Sequence, residues 1–479
     1  VCNGSACMTA GTQNKVKESL LQQFDASQIG EMCCLGRCHE NHAFYYQGKN
    51  YSGQAIHQLE NIKLHTSNLN EDEYHVASYG TSVLTQTIKN AKSYYSLLET
   101  CLQKQPDKLL ENLQISGLRG RGGAGFPTAF KLQSCKNTES DVKFIVCNAD
   151  EGDPGAYSDR YLLEKQPQSV LLGMIVAGYI TGAQYGVVYI RAEYPESIVR
   201  CQQEIDSLRK MGYLGKSIAN TNFSFDLKII QAQGAYICGE ETALLSSIEG
   251  QRPEVRVRPP YPAQEGLFNK PTVVCNVETF ACIPFILQHG GEVFANIGIG
   301  KSTGTKLVSL DSHFNRPGIY EVDMGTPLST VVNELGQGFT SPIKAMHIGG
   351  PLGGLVPMSK INDLQISFES FHEQGFLLGH ASIVCIPETF PLVKYIHHLF
   401  AFTAHESCGK CFPCRIGSTR GAEMFQKAIE DGYKINQTLL NDLLETLEIG
   451  SLCALGGGLP LPIKNALQYF DEELRVYFA

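Results

Sequence analysis

No basic stripe runs through this chain, no signal peptide or other secretory mark is visible in it, and its cysteine total is odd. With a formal net charge of -9 and no cluster of lysine or arginine, neither nucleic acid nor a polyanionic membrane surface is an expected partner. Seventeen cysteines without a secretory segment argue against a disulfide scaffold. Unpaired thiols in such number point to a reducing compartment such as a bacterial cytoplasm. A membrane span is not expected either. Gln166 to Ile190 carries no charge, yet Gly182, Gln184 and Gly186 break the run, so it reads as a buried helix over Val170–Thr181 and a buried strand over Gly186–Arg191. The sequence does not open on methionine and Val1 adjoins Cys2, so further residues are expected upstream.

What the chain does have is length for three or four domains, at 479 residues and 43% apolar content, and two sets of cysteines with iron-sulfur spacing. Cys408, Cys411 and Cys414 form a CxxCxxC curl, and Cys453 follows across a helix-length stretch. Three thiolates on one curl each reach a different iron of a four-iron, four-sulfur cube while a remote fourth closes it. Structural zinc is the competing reading, but it usually draws four thiolates from two CxxC knuckles. At the other end, Cys2 and Cys7 pair with Cys34 and Cys38 across about a helix and a strand, a layout that fits a two-iron cluster. Cys33 adjoins Cys34 and stands as an alternative to it. The remaining cysteines are scattered in apolar stretches and read as small buried hydrophobes.

Between the two sets lies SGLRGRGGAGFPTAFK, Ser116 to Lys131. Gly120, Gly122 and Gly125 satisfy GxGxxG, but a dinucleotide fingerprint needs a strand directly before it, and what precedes this loop looks helical. Five glycines in nine residues expose N–H groups to an anion and let a flat ring come close, while Arg119, Arg121 and Lys131 add positive charge. A phosphate-bearing flat cofactor suits this loop better than a bare surface turn does. Next, a strand ending at Cys147 opens into Asn148, Asp150, Glu151 and Asp153, where open α/β sheets bind ligands. An acidic turn closed by Pro154 and Gly155 is the plainer alternative. A third element runs from a strand-like Tyr236–Cys238 through Gly239 into a helix opening with Glu240 and Glu241, an acidic start that the helix dipole alone would favour. Arg258 and Tyr261 supply a charge and a ring for gripping a nucleotide.

In order, SGLRGRGGAGFPT, CNADEGDPGA, YICGEETAL, PAQEGLFNKPT, NVET and ESCGKCFPCR resemble the flavin-bearing NADH-oxidising subunit of the complex I electron-input module and its soluble relatives, the diaphorase subunits of NAD-dependent formate dehydrogenases and hydrogenases. The resemblance covers about residues 110 to 479. CNGSAC and CLGRC resemble the thioredoxin-like two-iron subunit of the same module, here fused at the N-terminus. The resemblance implies FMN held at Gly120, Arg121, Gly122, Gly123 and Gly125 with Lys131, Asn148, Asp150, Glu151 and Asn276. NAD(H) is implied beside Phe126, Glu240, Glu241, Arg258 and Tyr261, and Tyr236 and Gly239 are further expected cofactor-binding residues. It further implies a 4Fe-4S cluster on Cys408, Cys411, Cys414 and Cys453 and a 2Fe-2S cluster on Cys2, Cys7, Cys34 and Cys38. Three positions depart from the family pattern: Leu132 stands for tryptophan, Arg258 for lysine and Cys275 for asparagine.

The expected fold is multidomain α/β. Residues 1–85 are expected to form a thioredoxin-like domain, 86–115 connector helices, 116–303 a Rossmann-like FMN and NADH domain, 304–387 a β-grasp (ubiquitin-like) module, and 388–479 a helical bundle with the four-iron cluster. The expected function is hydride exchange between NAD(H) and FMN with release of single electrons to the clusters, inside a larger complex with other iron-sulfur and catalytic subunits. A formate dehydrogenase or soluble hydrogenase is expected over respiratory complex I, because the two-iron and flavin parts share one chain. No cysteine-rich ferredoxin segment follows the tail, which weighs against an electron-bifurcating complex. A passive electron relay and a zinc-held scaffold are the readings from other classes.

Overall fold

The computed structural model describes all residues except 67–73, 87–90 and 233, and the side chains of 91–93. The polar connector expected after residue 85 therefore falls partly outside the described residues. The chain is a mixed α/β structure with two larger sheets and a helical tail.

The first larger sheet is fully parallel, with strands in the order Asp226–Gln231, Tyr185–Ile190, Phe144–Ala149 and Thr272–Asn276. Its inner strands are almost continuously apolar because helices cover the sheet. The uncharged run becomes the helix Pro167–Thr181, which ends at a left-handed Gly182, and then the strand Tyr185–Ile190. Both are buried in the largest core, against the helix Val277–His289. Among the described residues no helix is long and apolar enough to cross a membrane.

The second sheet has six strands, ordered Gly354–Pro357, Ile343–Ile348, Ser382–Pro387, Thr305–Leu310, Gly318–Asp323 and His75–Tyr79. The last strand was not anticipated there. It runs parallel to Gly318–Asp323 in the register His75 to Gly318 through Tyr79 to Val322. The boundary drawn at residue 85 thus cuts through a sheet, and residues 75–79 pack with the later module. Glu321 fastens the segment that follows, accepting from the backbone amides of Val83, Leu84 and Thr85. The two sheets meet at a buried ion pair, Lys306 with Glu278, both fully enclosed. Removing one partner would leave an uncompensated charge at a cost of about 3–5 kcal/mol.

The front of the chain holds the helix Thr12–Leu21 and the hairpin Phe44–Tyr46/Lys49–Tyr51 around Val16, Leu20, Phe44, Leu59 and Ile62. The tail packs the helices Leu392–Glu406, Ser418–Glu430, Gln437–Gly450 and Pro460–Tyr469 on a core that includes Ile396, Phe400, Phe425, Leu444 and Ile463.

Candidate functional site

The glycine loop joins two helices, Pro106–Ser116 and Thr128–Asn137, and is closed by backbone hydrogen bonds from Gly120 to Phe126 (2.8 Å) and from Thr128 to Leu118 (2.9 Å). Arg119 turns away, donating to Gly125 O and pairing with Glu369. Arg121 points inward and is wholly buried; its backbone amide donates to Thr279 Oγ1 (2.9 Å) and its Nη2 to Thr303 O (2.6 Å). Its Nε and Nη1 have no hydrogen-bond partner. Two orphan donors on a buried guanidinium are costly unless an anion meets them, and a phosphate does so in a fork geometry. Glycine is required beside it. A Cβ on Gly122 would come within 3.0 Å of Asn276 Cβ, and Gly123 sits at φ +120° against Gly379. These residues fit a phosphorylated flat ring such as FMN.

At the carboxyl end of Phe144–Ala149, Asn148 Nδ2 donates to Gly239 O (2.7 Å). Burial pushes the Asp150 carboxyl up to about 8 against the pull of Arg191, and its Oδ2 has no partner. Glu151 is differently engaged. Its carboxylate accepts from the amides of Asp159 (2.9 Å) and Arg160 (3.1 Å) and from Tyr194 OH (3.0 Å), so it anchors the start of the helix Ser158–Lys165. Asp153 accepts from Tyr236 OH (2.7 Å). Tyr236–Gly239 is a single 3-10 turn, not the strand its sequence suggested. The reason is Glu406, which accepts from the Tyr236 amide (2.7 Å) and takes it from any strand partner.

On the nucleotide side, Glu240 caps the helix Glu241–Ile248 by accepting from Thr242 N and Ala243 N, which is the structural role that acidic helix starts favour. Glu241 instead sits between two cations, Lys131 (3.0 Å) and Arg258 (2.9 Å). Phe126, Phe130 and Tyr261 are exposed, and Phe126 and Phe130 meet edge to face at 5.6 Å beside Lys131. Phe130 was not singled out from the sequence.

Cys408, Cys411, Cys414 and Cys453 line one pocket with Ile237, Val255, Lys410, Leu452 and Leu455. Burial and neighbouring groups push Cys414 up to about 11 and Cys453 to about 12. Among the described residues no three of the chain's thiols lie within 4.8 Å of one another. Cys411 and Cys414 are in contact, and three thiols on one curl with a fourth at the start of a separate helix fit a cube.

Cys2, Cys7, Cys34 and Cys38 share one buried core. Cys2 is in hydrogen-bonding contact with Cys7 and Cys34, and Cys34 Sγ lies 3.4 Å from Cys38 Sγ. Amides of Gly36 (3.4 Å) and Gly155 (3.3 Å) donate to Cys34 and Cys38. The residues fit a sulfur-bridged pair of irons. Cys33 packs against this core and also against the apolar shell of the C-terminal pocket, so it lies between the two cysteine sets.

Residues 113–285 match the family described as the Nuo51 FMN-binding domain, and residues 394–477 the NADH-ubiquinone oxidoreductase-F iron-sulfur binding region. Over 386 residues the chain is 41% identical to the NADP-reducing hydrogenase subunit HndC of Solidesulfovibrio fructosivorans, covering 80% of this chain and 78% of that one. It is 38% identical over 394 residues to an NADH-quinone oxidoreductase subunit of Rhizobium meliloti strain 1021, covering 81% and 93%. It is 38% identical over 381 residues to the HoxS subunit alpha of the NAD-reducing hydrogenase of Cupriavidus necator, covering 79% of this chain and 62% of that one. The crystal structure of an air-oxidised NAD+-reducing [NiFe]-hydrogenase superposes with a TM-score of 0.87 at 28% identity, over 100% of this chain and 84% of that one. The chain therefore belongs to the family of NADH-binding flavoprotein subunits found in complex I and in soluble hydrogenases.

Proposed function

We propose that this protein is the diaphorase subunit of an NAD-linked hydrogenase or formate dehydrogenase, working in a reducing compartment such as the bacterial cytoplasm with further iron-sulfur and catalytic subunits. The observation that carries this reading is the turn Tyr236–Gly239. Its Tyr236 and Gly239 touch the Asp150–Asp153 segment, and its Ile237 lines the four-cysteine pocket. One turn thus joins the candidate flavin pocket to the candidate four-iron site.

Arg121, the bare amides of Gly122 and Gly123, and Asn276 hold the phosphate and ring of FMN, with Lys131, Asn148 and Asp150 at its polar edges. Phe126, Glu241, Arg258 and Tyr261 receive NAD(H), Glu241 being held in place by its two cations. Cys408, Cys411, Cys414 and Cys453 bind 4Fe-4S, and Cys2, Cys7, Cys34 and Cys38 bind 2Fe-2S, whose sulfurs receive the Gly36 and Gly155 amides. When bound, FMN accepts hydride and releases electrons singly, which is the form iron-sulfur clusters accept. The chain's own contribution is orientation and exclusion of water. The four units are read as thioredoxin-like, Rossmann-like, β-grasp and helical bundle, with His75–Tyr79 lent to the third. The hydrogenase or formate dehydrogenase setting is favoured over respiratory complex I because the likeness to the NAD+-reducing [NiFe]-hydrogenase extends along the whole chain.

Purified protein should contain flavin and iron, and its flavin absorbance should bleach when NADH is added without oxygen. Bound flavin that ignores NADH, or a colourless zinc protein, would overturn the reading.

A further inference from the structure

Behind the glycine loop lies a buried cluster of which the sequence singled out only Glu151, leaving Asp159 and His380 without a role. His380, in the loop before Ser382–Pro387, is enclosed with Asp159 and Glu151. Its Nε2 lies 3.3 Å from Asp159 Oδ2 and 3.7 Å from Glu151 Oε1. Asp159 Oδ2 also accepts from Asn276 Nδ2 (2.6 Å), and Asn276 is the side chain packed on Gly122. On the other flank, the backbone of Gly379 and His380 packs on Gly123, within 3.5 to 3.7 Å of where a Cβ would stand. Gly122, Asn276, Asp159, His380 and Gly123 therefore close a ring beneath the loop.

We propose that His380, gripped by Asp159 and Glu151, is a positioning residue whose positive charge offsets those carboxylates behind the glycine loop and so favours the reduced, more negative state of the flavin bound there. The proposal rests on the FMN reading of that loop. Two carboxylates crowded out of water need a cation between them, and the imidazolium is the group in reach of both. A divalent ion suits the cluster poorly, because the Glu151 oxygens are already committed to two amides and a tyrosine hydroxyl. The other charged groups that bear on the imidazole are Asp153 and Lys306. Burial and Lys306 work against the proton; Asp159 and Glu151 outweigh them and hold His380 up at about 9.

The test compares wild type with His380→Gln, which keeps size and polarity but not charge, by spectroelectrochemistry of the bound flavin and by fluorescence titration of flavin-free protein with FMN. We expect the variant to bind oxidised FMN but to lose about tenfold in preference for the reduced form, read as a fall of about 30 mV in the two-electron potential. In wild type the plot of that potential against pH should bend near 9, and the bend should vanish in the variant. His380→Lys, which restores charge, should recover the potential at neutral pH. An unchanged potential in His380→Gln with flavin bound overturns the proposal while leaving the FMN reading intact; wild type that binds no FMN overturns both. Should His380→Gln fail to fold, His380→Asn carries the same comparison, and an unchanged potential there overturns the proposal.

Discussion

The two cysteine sets solve the same problem in opposite ways. The C-terminal set draws its thiols from one bundle: three cysteines follow one helix end, and the fourth, Cys453, precedes the short helix Ala454–Gly457, with Ile237 and Val255 added as walls from outside the bundle. Its thiols are partly exposed apart from Cys414, and its nearest side-chain donor is the Ser407 hydroxyl, 3.3 Å from Cys414 Sγ. The N-terminal set is wholly buried and is completed by other regions. Gly155 donates to Cys38 across 117 positions, Tyr194 packs under Gly36, Asn41 bonds Ser312, and Ser5 meets His398 of the tail at 3.2 Å. A locally built site tolerates movement of its neighbours, while one closed by distant segments exists only when those segments are docked.

Four experiments separate these regimes, from the largest effect down. Cys411→Ser should abolish the C-terminal cluster alone, removing about four of six irons and one set of paramagnetic signals. Loss of both signals would break the contrast. Gly36→Ala places a Cβ 2.6 Å from Tyr194 OH at φ +65°, where a side chain costs about 1–2 kcal/mol before any clash. It should erase the N-terminal signal, keep the C-terminal one, and lower Tm by a few degrees.

Acid should also act through the docking contacts. Burial lowers both His347 and His398 to about 4. Their ordinary value is near 6.5, so both states are neutral above it, and as pH falls from about 6.5 towards 4 the unfolded chain takes up protons that the folded one refuses. Thermal stability should therefore be full above pH ~6.5 and drop below it, and His398→Gln should blunt the drop. Smallest is Ser407→Ala. Losing one hydroxyl donor to Cys414 should lower the C-terminal cluster's potential by about 40 mV, the one-electron equivalent of a 1 kcal/mol hydrogen bond, with the N-terminal cluster unmoved.

Elements with a strong local signature were legible in the sequence. Gly182 ends its helix as the sequence indicates, and the CxxCxxC spacing marks cysteines that line one pocket with Cys453. What escaped depended on distant partners. His75–Tyr79 is a parallel edge strand whose mate lies more than two hundred residues on, so no turn signal marks it. Tyr236–Cys238 has strand-like residues, but Glu406 claims its amide. Cys33 and Cys34 are indistinguishable by spacing, and only the fold buries Cys34 with Cys38 and leaves Cys33 between the two sets. His380 stands alone among apolar residues, with no motif to betray the carboxylates that await it.

The borrowed strand His75–Tyr79 also has a consequence for proteolysis. It covers the open flank of Gly318–Asp323, whose backbone groups would otherwise be free to pair with a neighbouring molecule. A chain trimmed beyond residue 85 would bare that flank and, through it, join end to end with its own kind. The front of the protein thus moves the edge of this sheet from the six-residue Gly318–Asp323 to the shorter His75–Tyr79.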